Sequence, residues 1–182
     1  MTSSALQRLP GMQITLDSRY SDPGASATPW EETAQVLADA EMFTLTTVRP
    51  DGRPHVVPLL ALWDGGALHV MTGLEEQKHR NLRHSPLVTV TTTTGNRFAE
   101  GLDVTVEGEA RRVTDKRRLE ELAAAWPRRF GHSWQFEVRD GSFWHEPGEV
   151  RVFAIAPVVV RTFTRGPYRQ TTYRNMSDLQ LL

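Results

Sequence analysis

The sequence predicts a mainly β protein, a small antiparallel barrel with helices at its ends. Short runs rich in threonine, valine and leucine alternate in polarity, which is typical of strands with one buried face. Turn residues separate these runs at short intervals, and neither βαβ alternation nor a glycine-rich phosphate loop interrupts them. The six predicted strands span 42–48, 55–63, 67–72, 87–93, 102–113 and 150–164.

Two tight turns and three irregular positions set the course of these strands. The segment 50–52, Pro-Asp-Gly, ends the first strand, and 64–66, Asp-Gly-Gly, ends the second as a hairpin. Pro58 cannot donate a ladder hydrogen bond, so it predicts an edge strand or a bulge. Gly108 predicts a bulge or a barrel corner in the fifth strand, and Pro157 predicts a bend in the sixth.

Three segments predict helices around the sheet, the first and last of them amphipathic and the middle one short and polar. Thr28 and Glu31 match a capping box at the start of the first helix. Thr114 is the expected cap of the last helix, and Pro127 is its expected end. The predicted helices span roughly 30–41, 75–83 and 115–126.

The chain has 182 residues, enough for one domain with its own core. Residues 1–27 offer little apolar surface to bury and end in a run of small polar residues, glycine and proline, which favours a flexible N-terminal arm. We therefore divide the chain into this arm, a barrel domain over 28–176 and a short tail over 177–182.

Composition excludes several classes of function. The net charge of −1 gives no global attraction for nucleic acid or an anionic membrane. With no cysteine, the chain has no disulfide, thiol nucleophile or cysteine-based metal site. No signal peptide is visible, and the longest apolar run, 56–63, is shorter than the ~20 residues that span a bilayer. We therefore expect a cytoplasmic protein that binds neither nucleic acid nor membrane.

The most informative polar segment is the short helix around Lys78. Lys78 and Asn81 lie one helical turn apart, so an ammonium and an amide could together hold a phosphate or a carboxylate. A solvated helix face is the simpler interpretation, and Glu75 and Glu76 lower the potential where an anion would bind. Thr72, at the end of the third strand, could donate to a ligand or cap the following turn. Both interpretations stay open on these residues alone.

Metal and serine chemistry find little support in the sequence. The six histidines form no His-x-x-x-His or His-Glu-x-x-His pattern, so we expect no metal site. A Gly-x-Ser-x-Gly nucleophile motif is also missing. Asp103, Glu107 and Glu109 alternate on one strand and are interpreted as a solvent-facing edge rather than a catalytic pair. No side chain is an obvious general acid, and a proton could come from solvent.

In their order and spacing, several segments resemble the pyridoxamine 5′-phosphate oxidase-like split β-barrel proteins. Within that superfamily the chain is similar to the flavin/deazaflavin oxidoreductases, above all the branch that uses coenzyme F420. The segments that carry the resemblance are 43–55 (FTLTTVRPDGRPH), Pro58, 63–66 (WDGG), 78–82 (KHRNL), Pro86, 101–110 (GLDVTVEGEA) and 170–174 (QTTYR).

The resemblance implies a six-stranded antiparallel split β-barrel that forms a homodimer, with F420, or alternatively FMN, in a groove at the dimer interface. It implies hydride transfer between the bound cofactor and a small conjugated substrate, and the cofactor supplies that chemistry. Three readings stay open: such a redox enzyme, a barrel that binds a cofactor or haem without turnover, and a dimer with an empty groove.

The resemblance also implies roles for particular residues. Residues of the second strand form a wall against the ring system, Thr72 lies near the ring or its linker, and Lys78 and Asn81 hold the phosphate. Gln170 or Arg174 completes the site, and aromatic residues of 126–144 shape the substrate side. The implied cofactor-binding residues are His55, Val57, Pro58, Leu60, Thr72, Lys78 and Asn81.

Overall fold

The computed structural model describes residues 11–95, 97, 99–146 and 148–175. In these residues one antiparallel sheet accompanies three α-helices and two 3₁₀ helices, Ser18–Tyr20 and His132–Trp134, so the predicted mainly β class is confirmed. The helices are α1 (Trp30–Asp39), α2 (Gln77–Leu82) and α3 (Lys116–Phe130). The strands are β1 (Met12–Leu16), β2 (Met42–Val48), β3 (Pro54–Leu60), β4 (Leu62–Asp64), β5 (Ala67–Gly73), β6 (Leu87–Thr93), β7 (Gly101–Arg112), β8 (Glu137–Arg139), β9 (Ser142–His145), β10 (Gly148–Arg165) and β11 (Arg169–Asn175).

Strand β10 is the central strand of the sheet, because it is long enough to pair with several other strands. It pairs with β9 and β5 near its beginning, with β11 near its end and with β7 along most of its length. The main path of the sheet runs β1-β11-β10-β7-β6-β2-β3, and β5 carries β4 on its other edge. Consecutive predicted strands are therefore antiparallel neighbours except β5 and β6, which do not pair within the described residues; β10 pairs with both β5 and β7.

The irregularities predicted at Gly108 and Pro157 belong to one bulge. The register between β7 and β10 shifts between Pro157 and Val159, and Gly108 lies opposite Pro157. A Cβ atom at position 108 would lie 2.3 Å from the carbonyl oxygen of Ala156, so the two strands can approach only at glycine. The bulge bends β10 between its two groups of partners.

All six predicted strands are present, and one of them is divided. The segment predicted as 55–63 forms β3 and β4, with a break at the buried residue Ala61. Within the described part of the chain β3 pairs only with β2, which confirms the edge position predicted for Pro58.

The interior contains two hydrophobic clusters. The larger, here called the barrel core, lies between the sheet and α1, whose Trp30, Ala34 and Leu37 are buried. The ring centroid of Trp30 lies 5.3 Å from that of Tyr173 and 6.3 Å from that of Trp63. The smaller, here called the flap core, joins α3 to β9 and β10 through Leu119, Leu122, Phe143 and Val152.

The predicted capping box at Thr28 is wrong. Helix α1 begins after Pro29, and no side chain caps it. Thr28 is instead buried, and its backbone N–H donates to the Thr171 hydroxyl at 2.9 Å. Its carbonyl oxygen accepts from the Tyr173 hydroxyl at 2.6 Å. Long-range hydrogen bonds to β11 therefore take the place of the local cap. A buried backbone N–H or carbonyl group needs a hydrogen-bond partner, whether that partner is near or far in the sequence.

Two predictions for α3 are also wrong. The cap is Asp115 rather than Thr114, since the Asp115 carboxylate accepts from the Arg118 N–H at 2.8 Å. Pro127 lies inside the helix, which continues to Phe130. Trp126 is fully buried and its ring centroid lies 5.4 Å from that of Phe130, so packing holds the last turn despite the missing N–H.

Both chain ends contribute strands that the sequence did not indicate. Strand β1 lies inside the segment predicted as a flexible arm and pairs with β11, which occupies the predicted polar end of the barrel domain. Residues 1–10 of the predicted arm and the predicted tail over 177–182 lie outside the described residues. The division into arm, domain and tail stays a prediction.

Candidate functional site

A cavity of ≈ 950 Å³ opens between the barrel and an aromatic segment that follows α3. We call this segment, residues 132–146, the flap; it comprises the second 3₁₀ helix, the β8–β9 hairpin and the turn after β9. The barrel wall consists of residues from β3, β5 and the turn before α2, and the flap wall carries Trp134, Phe136 and His145. This volume lies within the range of small-molecule and cofactor pockets.

Strand β3 presents only part of its predicted wall to the cavity. Pro58 and Leu60 line it, whereas Val57 packs against the barrel core. His55 does not line it, and its Nδ1 is buried without a hydrogen bond among the described residues. Burial lowers the pKa of His55, and the positive charges of Arg49 and Lys78 lower it further. Alternation of side chains along the strand separates Val57 from Pro58, but near the end of β3 Leu59 lines the cavity as well as packing against the barrel core.

Thr72 lies on the cavity wall at the end of β5, where the sequence predicted it. It is 2% exposed, and its hydroxyl donates to the carbonyl oxygen of Gly73 at 3.1 Å. The hydroxyl proton is therefore engaged with the backbone, and the oxygen lone pairs remain as acceptors toward the cavity.

Lys78 reaches the same cavity from the first turn of α2. Its side chain is 15% exposed, and burial lowers the pKa of its ammonium. The ammonium forms an ion pair with Glu76, whose other oxygen accepts from the Gly73 N–H at 2.9 Å. Glu75 also lines the cavity and pairs with Arg80. The ammonium that was predicted for the α2 end of the cavity is therefore present, and the Glu76 carboxylate partly neutralises its charge.

Asn81 lies in the protein interior rather than in the cavity. Its Nδ2 donates to the Thr47 hydroxyl at 2.8 Å, and its Oδ1 accepts from the Gln77 side chain at 2.8 Å. Asn81 is fully buried; its contact with Thr47 fastens α2 to β2, and its contact with Gln77 lies within α2. Gln170 and Arg174 on β11 do not line the cavity either.

A polar network behind the cavity was not anticipated from the sequence. The Glu149 carboxylate, which lines the cavity, accepts from the Ser142 hydroxyl at 2.7 Å and from Arg151 Nε at 3.2 Å, and these contacts lower its pKa. Arg151 Nη1 lies 3.3 Å from His79 Nε2, and His79 Nδ1 lies 2.8 Å from the Leu74 carbonyl oxygen. An arginine only donates and a carbonyl only accepts, so these two contacts fit a His79 ring with its proton on Nδ1. Alternating charges at 149 and 151, inside an apolar strand, are the signal that could have indicated this network.

The flap wall is a row of aromatic rings. Phe136 stacks on the buried Phe143, with centroids 4.9 Å apart and planes at 17°. Its centroid lies 6.4 Å from that of Trp134 and 5.6 Å from that of His145. His145 Nδ1 donates to the carbonyl oxygen of Glu146 at 2.7 Å, which leaves Nε2 as the basic atom of the neutral ring. The sequence placed aromatic residues here without assigning their positions.

A second cavity of ≈ 580 Å³ lies on the outer face of the sheet. It is formed by β2, β6, β7 and β10, and its apolar lining includes Val48, Leu87 and Val158. Leu87 is 55% exposed, and Val56 on β3 is 57% exposed. These exposed apolar side chains lie on the same outward face of the sheet.

Metal sites and membrane-spanning helices are two further features to consider. Among residues 11–95, 97, 99–146 and 148–175, no three His, Asp or Glu side chains come together as a metal ion would require. No helix in the described part of the chain is long and apolar enough to cross a membrane.

Comparisons with solved structures point to one fold. A haem-binding protein from Mycobacterium smegmatis is 19% identical and aligns over 77% of this chain and 55% of its own, with a TM-score of 0.62. A FAD-binding protein from Mesorhizobium loti is 18% identical over 90% and 98% of the two chains, with a TM-score of 0.56. An F420 reductase is 23% identical over 69% and 93%, with a TM-score of 0.50. Identities this low show the fold alone.

Sequence comparison assigns the family. A search of curated proteins found no match. The family model for pyridoxamine 5′-phosphate oxidase, however, matches residues 29–164, most of the chain and all of the cavity-lining elements. The predicted split β-barrel and the resemblance drawn from the sequence are therefore confirmed, and the chain belongs to the pyridoxamine 5′-phosphate oxidase family.

Proposed function

We propose that the protein is an oxidoreductase that transfers hydride between bound F420 and a small conjugated substrate, with FMN as the alternative cofactor. The observation that carries the proposal is the cavity of ≈ 950 Å³ with a half-buried ammonium at one wall and aromatic rings at the other. A flat anionic cofactor and a flat substrate could share this space. The similarity in fold to an F420 reductase and a FAD-binding protein supports it.

The residues present fit such a cofactor on two counts. Pro58, Leu60 and Met71 offer an apolar wall to a ring system, with Thr72 beside them as an acceptor. Lys78 is the one lysine or arginine among the described residues that line the cavity, and it would hold the phosphate. When bound, the cofactor accepts and donates hydride, while the protein orients it and excludes water.

The charge at the phosphate end favours F420 over FMN. One ammonium already shared with Glu76 can balance the single charge of the F420 phosphodiester. The phosphate of FMN is a monoester, which carries a charge of about −1.5 to −2 at neutral pH. At this position, a dianionic phosphate group beside Glu75 and Glu76 would meet more repulsion than a monoanionic phosphate group.

We propose in addition that two copies of the chain pair through the outer sheet face. Val56 and Leu87 are exposed there, and the outward face of β3 continues from Val56 to Pro58 at the cavity. Dimerisation would thus cover the apolar face and place the cavity at the interface. Leu87→Glu should convert a dimer into a monomer in sedimentation equilibrium, and a wild-type monomer would contradict the proposal.

The test of the cofactor is a fluorescence-quenching titration with F420 and FMN. We expect tighter binding of F420, and Lys78→Ala should weaken it at least tenfold because the charge-assisted contact is lost. Lys116→Ala is the matched control, since Lys116 is the other lysine of the chain and lies exposed on α3. Equal binding by wild type and Lys78→Ala would overturn the phosphate site, and binding of neither cofactor would favour an empty groove.

A second candidate function is haem binding without turnover. His145 places a basic Nε2 on the flap wall of the cavity, where it could act as an axial ligand, and a haem-binding protein shares the fold. Titration with haemin should then produce a Soret band that His145→Ala shifts or removes. A band unchanged by that substitution would exclude His145 as the ligand.

A further inference from the structure

The flap wall of the cavity is rich in rings and poor in positive charge. Phe136 has one face covered by Phe143, and Trp134 and His145 flank it within 6.4 Å and 5.6 Å between centroids. Trp134 is 37% exposed, so much of its indole is open to a ligand. A planar molecule could therefore pack on these rings at little conformational cost.

The charges around the cavity are four carboxylates, one ammonium and one histidine. The ammonium belongs to Lys78 and is shared with Glu76. Glu75 pairs with Arg80, and Glu149 pairs with Arg151. Glu146, beside His145, is exposed and belongs to the flap lining of the cavity, and it forms no ion pair within the described residues. An exposed carboxylate next to aromatic faces attracts a cation by both its charge and the ring quadrupoles.

We propose that the flap wall is a subsite for a planar aromatic cation, with Trp134 and Phe136 as the stacking surface and Glu146 as the countercharge. That this subsite binds the substrate of the enzyme rests on the proposed function. That it binds an aromatic cation at all rests only on the aromatic rings and carboxylates described above. The same arrangement disfavours aromatic carboxylates, which would meet Glu146 and Glu149 without a free cation nearby.

The test is isothermal titration calorimetry of the full chain, without cofactor, with three probes of matched shape. They are N-methylquinolinium, 2-methylquinoline and quinoline-2-carboxylate, at mildly alkaline pH where the first is cationic, the second neutral and the third anionic. We expect affinity to fall in that order. A carboxylate that binds as tightly as the cation, or no binding by any probe, would overturn the subsite.

Three variants test which residues produce the expected order of probe affinities. Glu146→Gln should weaken N-methylquinolinium about threefold and leave 2-methylquinoline unchanged, as the loss of one exposed charge does. Glu137→Gln is the control, since Glu137 is an exposed carboxylate of the same flap that does not line the cavity. Trp134→Leu should weaken both N-methylquinolinium and 2-methylquinoline, and the cation more, because a stacking face and its quadrupole are lost. Equal effects of Glu146→Gln and Glu137→Gln would overturn the assignment of the countercharge.

The titration with F420 and FMN separates the two proposals. If a cofactor binds and the probe order is absent, the subsite fails alone. If neither cofactor binds and the probe order holds, the redox function fails and the cavity remains a site for aromatic cations.

Discussion

The barrel core and the flap core differ in how they are built, although they share β10. Strands with alternating polarity enclose the barrel core, and residues such as Leu45 and Val90 are fully buried at its centre. The flap core has four fully buried members, and Met71, Phe136 and Val150 belong to both its margin and the cavity wall. The barrel therefore acts as the fixed wall of the cavity, and the flap as the wall whose stability rests on few contacts.

The largest expected effect comes from matched leucines in the two cores. Leu45→Ala should cost about 4 kcal/mol of unfolding free energy, because neighbours on all sides hold the new void open. Leu122→Ala should cost about 2–3 kcal/mol, since a small cluster beside a cavity can collapse around the lost atoms. Urea unfolding followed by circular dichroism measures both values. Equal losses would mean that the flap core is as tightly constrained as the barrel core.

The seam between the two regions contains a buried histidine. His69 on β5 is 2% exposed; its Nδ1 lies 3.3 Å from the Leu62 carbonyl oxygen and its Nε2 3.4 Å from Arg118 Nη2 on α3. Burial lowers the pKa of His69 to about 4, and the charge of Arg118 adds to the effect. The imidazole is therefore neutral in the folded protein at neutral pH, and α3 is held against β5 by a contact that protonation would break.

The pH dependence follows from that lowered pKa. Between about 4 and the ordinary value of 6.5 the unfolded chain binds a proton at position 69 that the folded chain does not. Stability from this group is thus present above pH 6.5 and is lost as the pH falls, by about 2 kcal/mol near pH 5. Urea unfolding at neutral pH and near pH 5 measures the difference, and His69→Gln should reduce it by about that amount. An unchanged pH dependence in the variant would place the titrating group elsewhere.

A smaller effect distinguishes two barrel-side residues that the sequence assigned to the phosphate. Asn81→Ala should cost about 1–3 kcal/mol of stability, because it removes the buried hydrogen bond that fastens α2 to Thr47 on β2 and the one to Gln77 within α2. Lys78→Ala should leave stability nearly unchanged and reduce cofactor affinity. Urea unfolding and F420 titration of both variants separate the roles. Full stability with lost affinity in Asn81→Ala would restore it to the phosphate site.

How far the sequence could reach depends on the range of the interactions involved. Alternating polarity is local, so it predicted the six barrel strands, and Pro58 and Gly108 marked an edge and a bulge. The tie from Thr28 to Tyr173 joins residues 145 positions apart, and nothing near Thr28 indicates it. β1 and β11 were missed for the same reason, because they pair with each other from distant parts of the chain and no local pattern indicates that pairing.

In the candidate site, too, local patterns indicated some of the residues that reach the cavity, whereas contacts between distant segments were not predicted. Pro58, Leu60, Thr72 and Lys78 reach the cavity because each stands on a predicted element facing it. Asn81 does not, since α2 has six residues and presents its first turn to the cavity and its last to the barrel. The network of Glu149, Arg151 and His79 joins β10 to α2 across the fold, which no local pattern encodes.

The smallest expected effect concerns the ion pair at the barrel wall. Glu76→Gln keeps an oxygen to accept from the Gly73 N–H but removes the charge that Lys78 now shares. We expect F420 to bind about threefold more tightly, because an ion pair with a carboxylate as exposed as that of Glu76 is worth less than about 1 kcal/mol and its loss frees the ammonium. Glu75→Gln is the control, since it removes an equal charge from the cavity lining without contacting Lys78. If both variants raise the affinity equally, the general potential of the cavity decides phosphate binding; if only Glu76→Gln does, the pairing of Lys78 decides it.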